Sequence, residues 1–197
     1  MDIALVTETK LTHDMYSHQD HGYTITATKA QSAHQGGIAI LARADATDWH
    51  LKGTRTHGPN VMSCVLVQGT RRKPIIGAYL PPGDLEDLPY IIEALQRYPE
   101  PPILLGDLNV MLDDPSDNRN NEVADTLAGF SFIDMLPLFW QRRKYRSLAT
   151  WRQWRDRTLI RSRCDYIMVT DHHLFQNVRL TQPRHYISDH LMVTATL

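Results

Sequence analysis

The sequence predicts an α+β fold in which two mainly antiparallel β-sheets pack together, with helices on their outer faces. Short apolar segments rich in β-branched residues recur along the chain, and several of them follow one another directly in its first half. Only two segments show the periodicity or the end signals of a helix. The 197 residues are enough to bury a sizeable core, and we expect a single domain over residues 1–197.

Nine apolar segments predict the strands of these sheets. They cover residues 3–7, 23–28, 36–43, 61–68, 74–80, 102–106, 165–170, 177–182 and 191–197. The last one alternates, which predicts one buried face carrying Leu191, Val193, Ala195 and Leu197.

Two further segments predict helices. In the first, Leu85, Leu88, Ile92 and Leu95 form an apolar stripe, with Asp84 as the predicted N-cap and Pro99 beyond the end. The second covers about residues 121–128 and ends at Gly129, a residue type that is common at the ends of helices.

Composition excludes several classes of protein. Hydrophobic residues make up 42% of the chain and charged residues 22%, which is ordinary for a soluble globular protein. No apolar run approaches the ~20 residues that span a bilayer, and no secretory signal is visible. Cys64 and Cys164 lack the spacing of a disulfide framework or a zinc site, so we expect an intracellular, reduced protein without membrane partners. Cys164 is interpreted as a small packing residue.

Positive charge is concentrated in residues 141–163. This segment carries nine Lys and Arg residues against Asp156 alone, a net charge of +8, whereas the rest of the chain carries −9. Aromatic residues lie among the charges, which favours a nucleic-acid-binding segment over a merely solvated surface. The alternative for Trp151, packing against the sheets, weighs as much as stacking on a base.

A carboxylate and a carboxamide follow the predicted strand at 102–106, in the segment GDLN. Residues two apart on an extended chain point to the same side, so Asp107 and Asn109 could face one cavity. Gly106 leaves room for a ligand or another backbone. On these four residues alone, an ordinary turn is the favoured interpretation.

Asp189 and His190 come just before the last strand, and Asp165 begins another. Histidine is the side chain best suited to take up a proton near neutral pH, and a carboxylate can fix its tautomer. By contrast, the pair His172–His173 is interpreted as a turn capped by Asp171 and not as a metal site.

Taken in order, six short motifs resemble the endonuclease/exonuclease/phosphatase superfamily. They are VTETK (6–10), GGIAIL (36–41), GAYLPP (77–82), GDLN (106–109), SRCDYIM (162–168) and SDH (188–190). The resemblance runs from Glu8 to the C-terminus and implies a DNase I-like, four-layer α/β/β/α sandwich. SLATWRQW and YISDH look most like the endonuclease domains of non-LTR retrotransposons and related apurinic-type endonucleases.

The resemblance implies a role for each polar side chain. Glu8 corresponds to the metal-binding glutamate, although Thr7 replaces the usual preceding Gln, and Asp189 lies near the metal. The implied catalytic residues are Asp107, Asn109, His190, Asp165 and Tyr79. Asp107 would orient or deprotonate the attacking water, or protonate the leaving oxygen. The implied cofactor is Mg²⁺ or Mn²⁺, and the expected contacts with a DNA substrate are Arg142, Arg143, Lys144, Arg146, Trp151, Arg152, Arg155 and Arg163.

One departure concerns the N-terminus. Members of the superfamily begin with a strand that supplies an Asn to the site, and no such strand precedes Glu8. We therefore expect an N-terminally truncated domain with reduced stability and weak activity. A retroelement origin would further imply a linked reverse transcriptase as partner and a nuclear location; we expect a monomer.

Three functions remain open at this stage. The first is a Mg²⁺-dependent endonuclease that nicks DNA by in-line attack of an activated water. The second is a lipid or small-molecule phosphatase or phosphodiesterase of the same fold. The third is a nucleic-acid-binding remnant of a retroelement whose catalytic site has decayed.

Overall fold

The structure is a computed structural model that describes residues 1–139, 148–182 and 188–197. The chain divides into two compact units, Met1–Asp107 and Leu108–Leu197. Among the described residues, no helix combines the length and the apolar character needed to cross a bilayer.

The first unit contains two groups of four strands and one helix. The first sheet has the order β1–β4–β3–β2 and is antiparallel throughout. In the second group β5, β6 and β7 are antiparallel neighbours, and β8 pairs with β7 in parallel. The elements are β1 (Ile3–Thr7), β2 (Met15–Asp20), β3 (Tyr23–Ala27), β4 (Ile38–Arg43), β5 (His50–Gly58), β6 (Val61–Gln68), β7 (Arg71–Tyr79), α1 (Leu88–Gln96) and β8 (Ile103–Asp107).

The two sheets of this unit pack together through β1 and β4, which lie against β7. Gly77 of β7 allows a close approach, since a Cβ built there would lie 2.4 Å from Cδ1 of Leu5. Ile38, Ile76 and Leu104 are at most 1% exposed. Apolar burial of this kind drives the layers together, and α1 packs against β5, β6 and β7. The predicted α+β architecture of packed sheets is confirmed.

Helix α1 begins later than its sequence pattern predicts. Asp84 lies outside the helix, and Asp87 is the residue that precedes it. The buried stripe consists of Leu88, Ile91, Ala94 and Leu95, so Ile91 takes the place predicted for Ile92. The predicted stripe and the observed one share only Leu88 and Leu95, and Pro89 stands in the first turn, where proline is tolerated.

In the second unit, the described residues form α2 and three pairs of antiparallel strands. Helix α2 starts earlier than predicted because Asp117 caps it, accepting a hydrogen bond from the backbone N–H of Arg119 at 2.8 Å. The pairs are β9 with β12, β10 with β11, and β13 with β14. The elements are α2 (Asn118–Gly129), β9 (Ile133–Asp134), β10 (Trp151–Arg155), β11 (Thr158–Ser162), β12 (Asp165–Val169), β13 (Asn177–Thr181) and β14 (Met192–Thr196).

The predicted alternation of the last strand is not observed. Residues 191–195 are all half-buried, so β14 has no single buried face. Five strands were also missed by the sequence pattern, namely β2, β5, β9, β10 and β11. Most of their side chains are exposed and polar, so the apolar signal used to predict strands is weak in them.

Candidate active site

Glu8 follows β1 in a backbone conformation that is uncommon for a residue with a side chain. Its φ is +52°, in the left-handed region. The next two residues hold this turn in place, because the N–H groups of Thr9 and Lys10 donate to the carbonyl oxygens of Gly37 and Gly36 at 3.2 and 3.1 Å. Such conformations cluster at functional sites, where the surrounding structure fixes them.

The carboxylate of Glu8 has two polar neighbours. The hydroxyl of Tyr79 donates to Oε1 at 2.5 Å, and Nζ of Lys10 lies 3.4 Å from Oε2. Tyr79 itself is fully buried at the end of β7. A buried phenol that donates to a partly exposed carboxylate fixes the orientation of that carboxylate and keeps it an acceptor.

Asp107 ends β8 directly beside Tyr79. The parallel register of β7 and β8 pairs Tyr79 with Asp107 and Ala78 with Gly106. Gly106 is required here, since a Cβ at that position would lie 1.8 Å from the carbonyl oxygen of Ala78. The close approach is therefore one of backbone to backbone. Asp107 is 4% exposed, an unusual burial for a carboxylate.

In the second unit, Asn109 also has a left-handed backbone, with φ of +48°. A guanidinium nitrogen of Arg119 in α2 donates to its carbonyl oxygen. The N–H of Leu108 donates to the carbonyl of Cys164 at 2.8 Å, which ties this turn to the start of β12. Asn tolerates such a turn better than most residues.

Asp165 and His190 form a hydrogen-bonded pair. Nδ1 of His190 lies 2.9 Å from Oδ2 of Asp165, and both side chains are partly buried, at 29% and 21% exposure. An ionised carboxylate can only accept, so Nδ1 carries the proton. This leaves Nε2 of His190 as the nitrogen that can exchange a proton with a ligand.

Thr150 connects the two members of this pair, and no pattern in the sequence singles it out. Its Oγ1 accepts the backbone N–H groups of Cys164 and Asp165 at 3.0 and 3.1 Å. Its carbonyl accepts the N–H of Leu191 at 2.6 Å, next to His190. The side chain is fully buried. A threonine in a basic loop has no sequence pattern that predicts this role, because the backbone groups that it binds approach it only in the folded protein.

Asp189 lies beside Trp151, one of the aromatic residues of the basic segment. The indole N–H donates to Oδ2 of Asp189 at 2.7 Å, and the backbone N–H of Arg152 donates to the carbonyl of Asp189 at 3.1 Å. Trp151 is half-buried. The indole N–H of Trp151 is therefore hydrogen-bonded to Asp189.

The basic segment forms a hairpin in its second half. Strands β10 and β11 are joined by Asp156 and Arg157, both with positive φ, as in a type I′ turn. Trp154 is 69% exposed. Arg152 faces Arg161 across the strands, an arrangement of like charges that destabilises a hairpin unless an anion is near.

Arg163 differs from the other arginines of this segment. It is 8% exposed, and Nη2 lies 3.4 Å from carboxylate oxygens of both Asp113 and Asp134. This placement favours a role inside the fold over a contact with DNA. The predicted DNA contacts Arg142, Arg143, Lys144 and Arg146 lie outside the described residues.

Three of the side chains predicted for the site, each described in its own unit, carry a carboxylate, which is a hard donor. Glu8, Asp107 and Asp189 present carboxylate oxygens, which are the ligands that Mg²⁺ prefers in proteins. Each of the three carboxylates taken singly is therefore a suitable ligand for a divalent cation. The turn at His172–Leu174 is capped by Asp171, whose Oδ1 accepts the N–H of His173 at 2.9 Å, so the prediction of a capped turn is confirmed.

Comparison with solved structures shows the fold. The endonuclease domain of TRAS1, a telomere-specific non-LTR retrotransposon, superposes with a TM-score of 0.73 and 17% identity, over 100% of this chain and 85% of the other. An AP endonuclease from Archaeoglobus fulgidus gives a TM-score of 0.68 and 17% identity, over 99% and 88%. The catalytic domain of APE2 from Xenopus laevis gives 0.65 and 18%, over 98% and 82%.

The sequence matches the model of a protein family but no individual curated protein. The model of the Endonuclease/Exonuclease/phosphatase family matches residues 1–190. The resemblance read from the six motifs is confirmed, and the chain belongs to the endonuclease/exonuclease/phosphatase family.

Proposed function

We propose that this protein is a divalent-metal-dependent phosphodiesterase that nicks DNA. The observation that carries the proposal is the pair formed by Asp165 and His190, with 2.9 Å between Oδ2 and Nδ1. A carboxylate that holds an imidazole in one tautomer prepares its other nitrogen for proton transfer. Membership of a family of nucleases and phosphatases supports phosphoester hydrolysis as the reaction.

In the proposed reaction, a water attacks the phosphorus in line with the leaving oxygen. Nε2 of His190 takes up a proton of the water while Asp165 stabilises the resulting imidazolium. Asp107 and Asn109 position the water and the phosphate oxygens. Only Leu108 separates these two residues in the chain, so they can serve one phosphate. As the new P–O bond forms, the bond to the leaving alkoxide breaks; the alkoxide takes a proton from a solvent water, and the imidazolium of His190 later returns its proton to solvent.

A divalent cation would add charge neutralisation at the phosphate. Glu8 and Asp189 are the residues proposed to hold it. The phenol of Tyr79 fixes Glu8 in one orientation, as its 2.5 Å hydrogen bond indicates. The indole of Trp151 does the same for Asp189 at 2.7 Å. Carboxylates fixed in advance lose less conformational entropy when a ligand binds.

DNA is the proposed substrate because of the hairpin formed by β10 and β11. Arg152 and Arg155 are exposed on it, and Trp154 extends into solvent. The opposed Arg152 and Arg161 would gain from a phosphate placed between them. Exposed aromatic side chains beside such charges can stack on bases. The neighbouring AP endonuclease and retrotransposon endonuclease structures support the same substrate class.

Nicking of a supercoiled plasmid tests the proposal. The wild-type protein should convert the plasmid to its open circular form with Mg²⁺ and not with EDTA. His190→Ala and Asp107→Ala should each lower the rate by at least about 100-fold, because each removes a group that acts on the reacting atoms. Nicking that survives both substitutions would show that the reaction is carried by other residues or by a contaminant.

Measuring DNA binding alongside nicking separates the proposal from a DNA-binding remnant. Replacing the exposed Arg155 of the hairpin with Ala should weaken DNA binding and reduce its salt dependence, while His190→Ala should leave binding intact. Tight binding by the wild type without any cleavage would favour a remnant. The likeness to a retrotransposon endonuclease supports a retroelement origin as part of the proposal, and a linked reverse transcriptase and a nuclear location are what that origin would imply.

A further inference from the structure

Cys164 places a thiol next to the hydrogen-bonded pair of Asp165 and His190. It is 4% exposed and lies directly before β12. Its Sγ–H donates to Oδ2 of Asp165 at 3.5 Å, and the same oxygen lies 2.9 Å from Nδ1 of His190. Sγ of Cys164 also lies within 4.8 Å of a ring nitrogen of His190. The thiol, the carboxylate and the imidazole are therefore neighbours within the second unit.

We propose that Cys164, Asp165 and His190 form a binding site for a soft divalent cation such as Zn²⁺. Thiolate and imidazole ligands select zinc and similar metals, whereas Mg²⁺ prefers oxygen ligands and retains its water. This site differs in both its residues and its chemistry from Glu8 and Asp189, the carboxylates proposed above to hold Mg²⁺. A water would complete a tetrahedron.

The distances between the three ligand atoms suit zinc. With Zn–S near 2.3 Å and Zn–N or Zn–O bonds of about 2.0–2.2 Å, a tetrahedral site needs ligand atoms about 3.4–3.6 Å apart. The 3.5 Å between Sγ of Cys164 and Oδ2 of Asp165 already meets this requirement. The 2.9 Å between Asp165 and His190 must open by about 0.5 Å. The separation of Sγ from the imidazole nitrogen, which is at most 4.8 Å, must close by at most about 1.4 Å.

Zinc at this position would inhibit the reaction proposed above, and that consequence rests on the proposed function. Binding releases the thiol proton to solvent, since the thiolate is the ligand. An imidazole nitrogen held by zinc draws His190 out of its hydrogen bond with Asp165. The ring can then no longer be positioned for proton transfer by that carboxylate. The site would make the enzyme sensitive to zinc in the presence of excess Mg²⁺.

Cobalt provides a direct test that does not depend on activity. Co²⁺ added to the metal-free protein should give the near-ultraviolet charge-transfer band of a cobalt–thiolate bond, and Zn²⁺ should abolish it while Mg²⁺ does not. The band should disappear in Cys164→Ala and weaken in His190→Ala. Cys64→Ala is the matched control, because Cys64 is also buried and burial raises the pKa of its thiol to about 12. This control should keep the band.

The activity measurement separates this inference from the proposed function. Cys164→Ala and Cys164→Ser should nick plasmid in Mg²⁺ as wild type does, but at least about tenfold more Zn²⁺ should be needed to inhibit them. Circular dichroism establishes that each variant is folded. A wild-type protein without the cobalt–thiolate band, or a band that survives Cys164→Ala, overturns the zinc site. If the band behaves as expected and no nicking occurs, the site stands and the proposed function fails.

Discussion

Replacing Thr150 with valine should destabilise the second unit far more than replacing it with serine. Oγ1 of Thr150 accepts two backbone N–H groups, those of Cys164 at 3.0 Å and Asp165 at 3.1 Å, and the side chain is fully buried. Valine has the same shape but no oxygen, so both N–H groups lose this acceptor. Each buried donor left unsatisfied costs about 1–3 kcal/mol, which gives a loss of about 2–6 kcal/mol for Thr150→Val.

Thr150→Ser is the matched control because it keeps the oxygen and removes one methyl group. Its expected cost is about 1 kcal/mol. Urea unfolding, followed by circular dichroism, measures both free energies of unfolding. The loss expected for valine is a large fraction of the ~5–15 kcal/mol by which domains are stable. Equal stability of the Val and Ser variants would refute the reasoning that the hydroxyl holds the start of β12.

Three further perturbations test the fold at other points. Gly106→Ala should lower the free energy of unfolding in urea by at least about 3 kcal/mol, because its Cβ would lie 1.8 Å from the carbonyl oxygen of Ala78. The control is Gly129→Ala, which has open space around it and should be neutral or stabilising. Burial raises the pKa of Asp134 from 3.8 to about 6. The folded state therefore binds this proton more tightly than the unfolded state does. The free energy of unfolding should fall by about 3 kcal/mol as pH rises from about 4 to about 6. Asp134→Asn should abolish this pH dependence when unfolding is measured across that range. Burial lowers the pKa of His57 below 6.5. The stability that neutral His57 contributes should be present above about pH 6.5 and lost as pH falls below it. The wild type should therefore lose more stability on acidification than His57→Gln. Parallel pH profiles of the free energy of unfolding would contradict this.

Sequence reasoning found the apolar strands because burial leaves a pattern in the residues themselves. Segments such as 61–68 and 165–169 are mostly buried, and their bounds were predicted to within a residue. The hairpin of β10 and β11 was missed because its exposed strands carry arginine in place of an apolar face, and its turn uses Asp156 and Arg157 without glycine. These two strands are defined by the backbone hydrogen bonds between them, and the residue types along one strand do not reveal such pairing.

The pairing of Asp165 with His190 was predicted from the sequence, whereas the groups that hold this pair in place were not. Asp165 and His190 were expected to pair, and they do. The role of Thr150 could not be foreseen, because its hydroxyl meets backbone groups 14 and 15 residues away in the chain. The engagement of Trp151 by Asp189 likewise depends on residues 38 positions apart. Contacts of this kind depend on the folded backbone, and the identity of one side chain does not specify them.

The most direct test of the central claim is a double-substitution cycle on the nicking rate. The claim is that Asp107 and His190 act on the same phosphodiester in one chemical step. Residues that work as a unit are strongly non-additive, so removing the second after the first should cost little more. The rate of Asp107→Ala/His190→Ala should therefore lie close to the slower of the two single variants. Rate losses that multiply in the double variant, or single variants as active as wild type, would contradict the account.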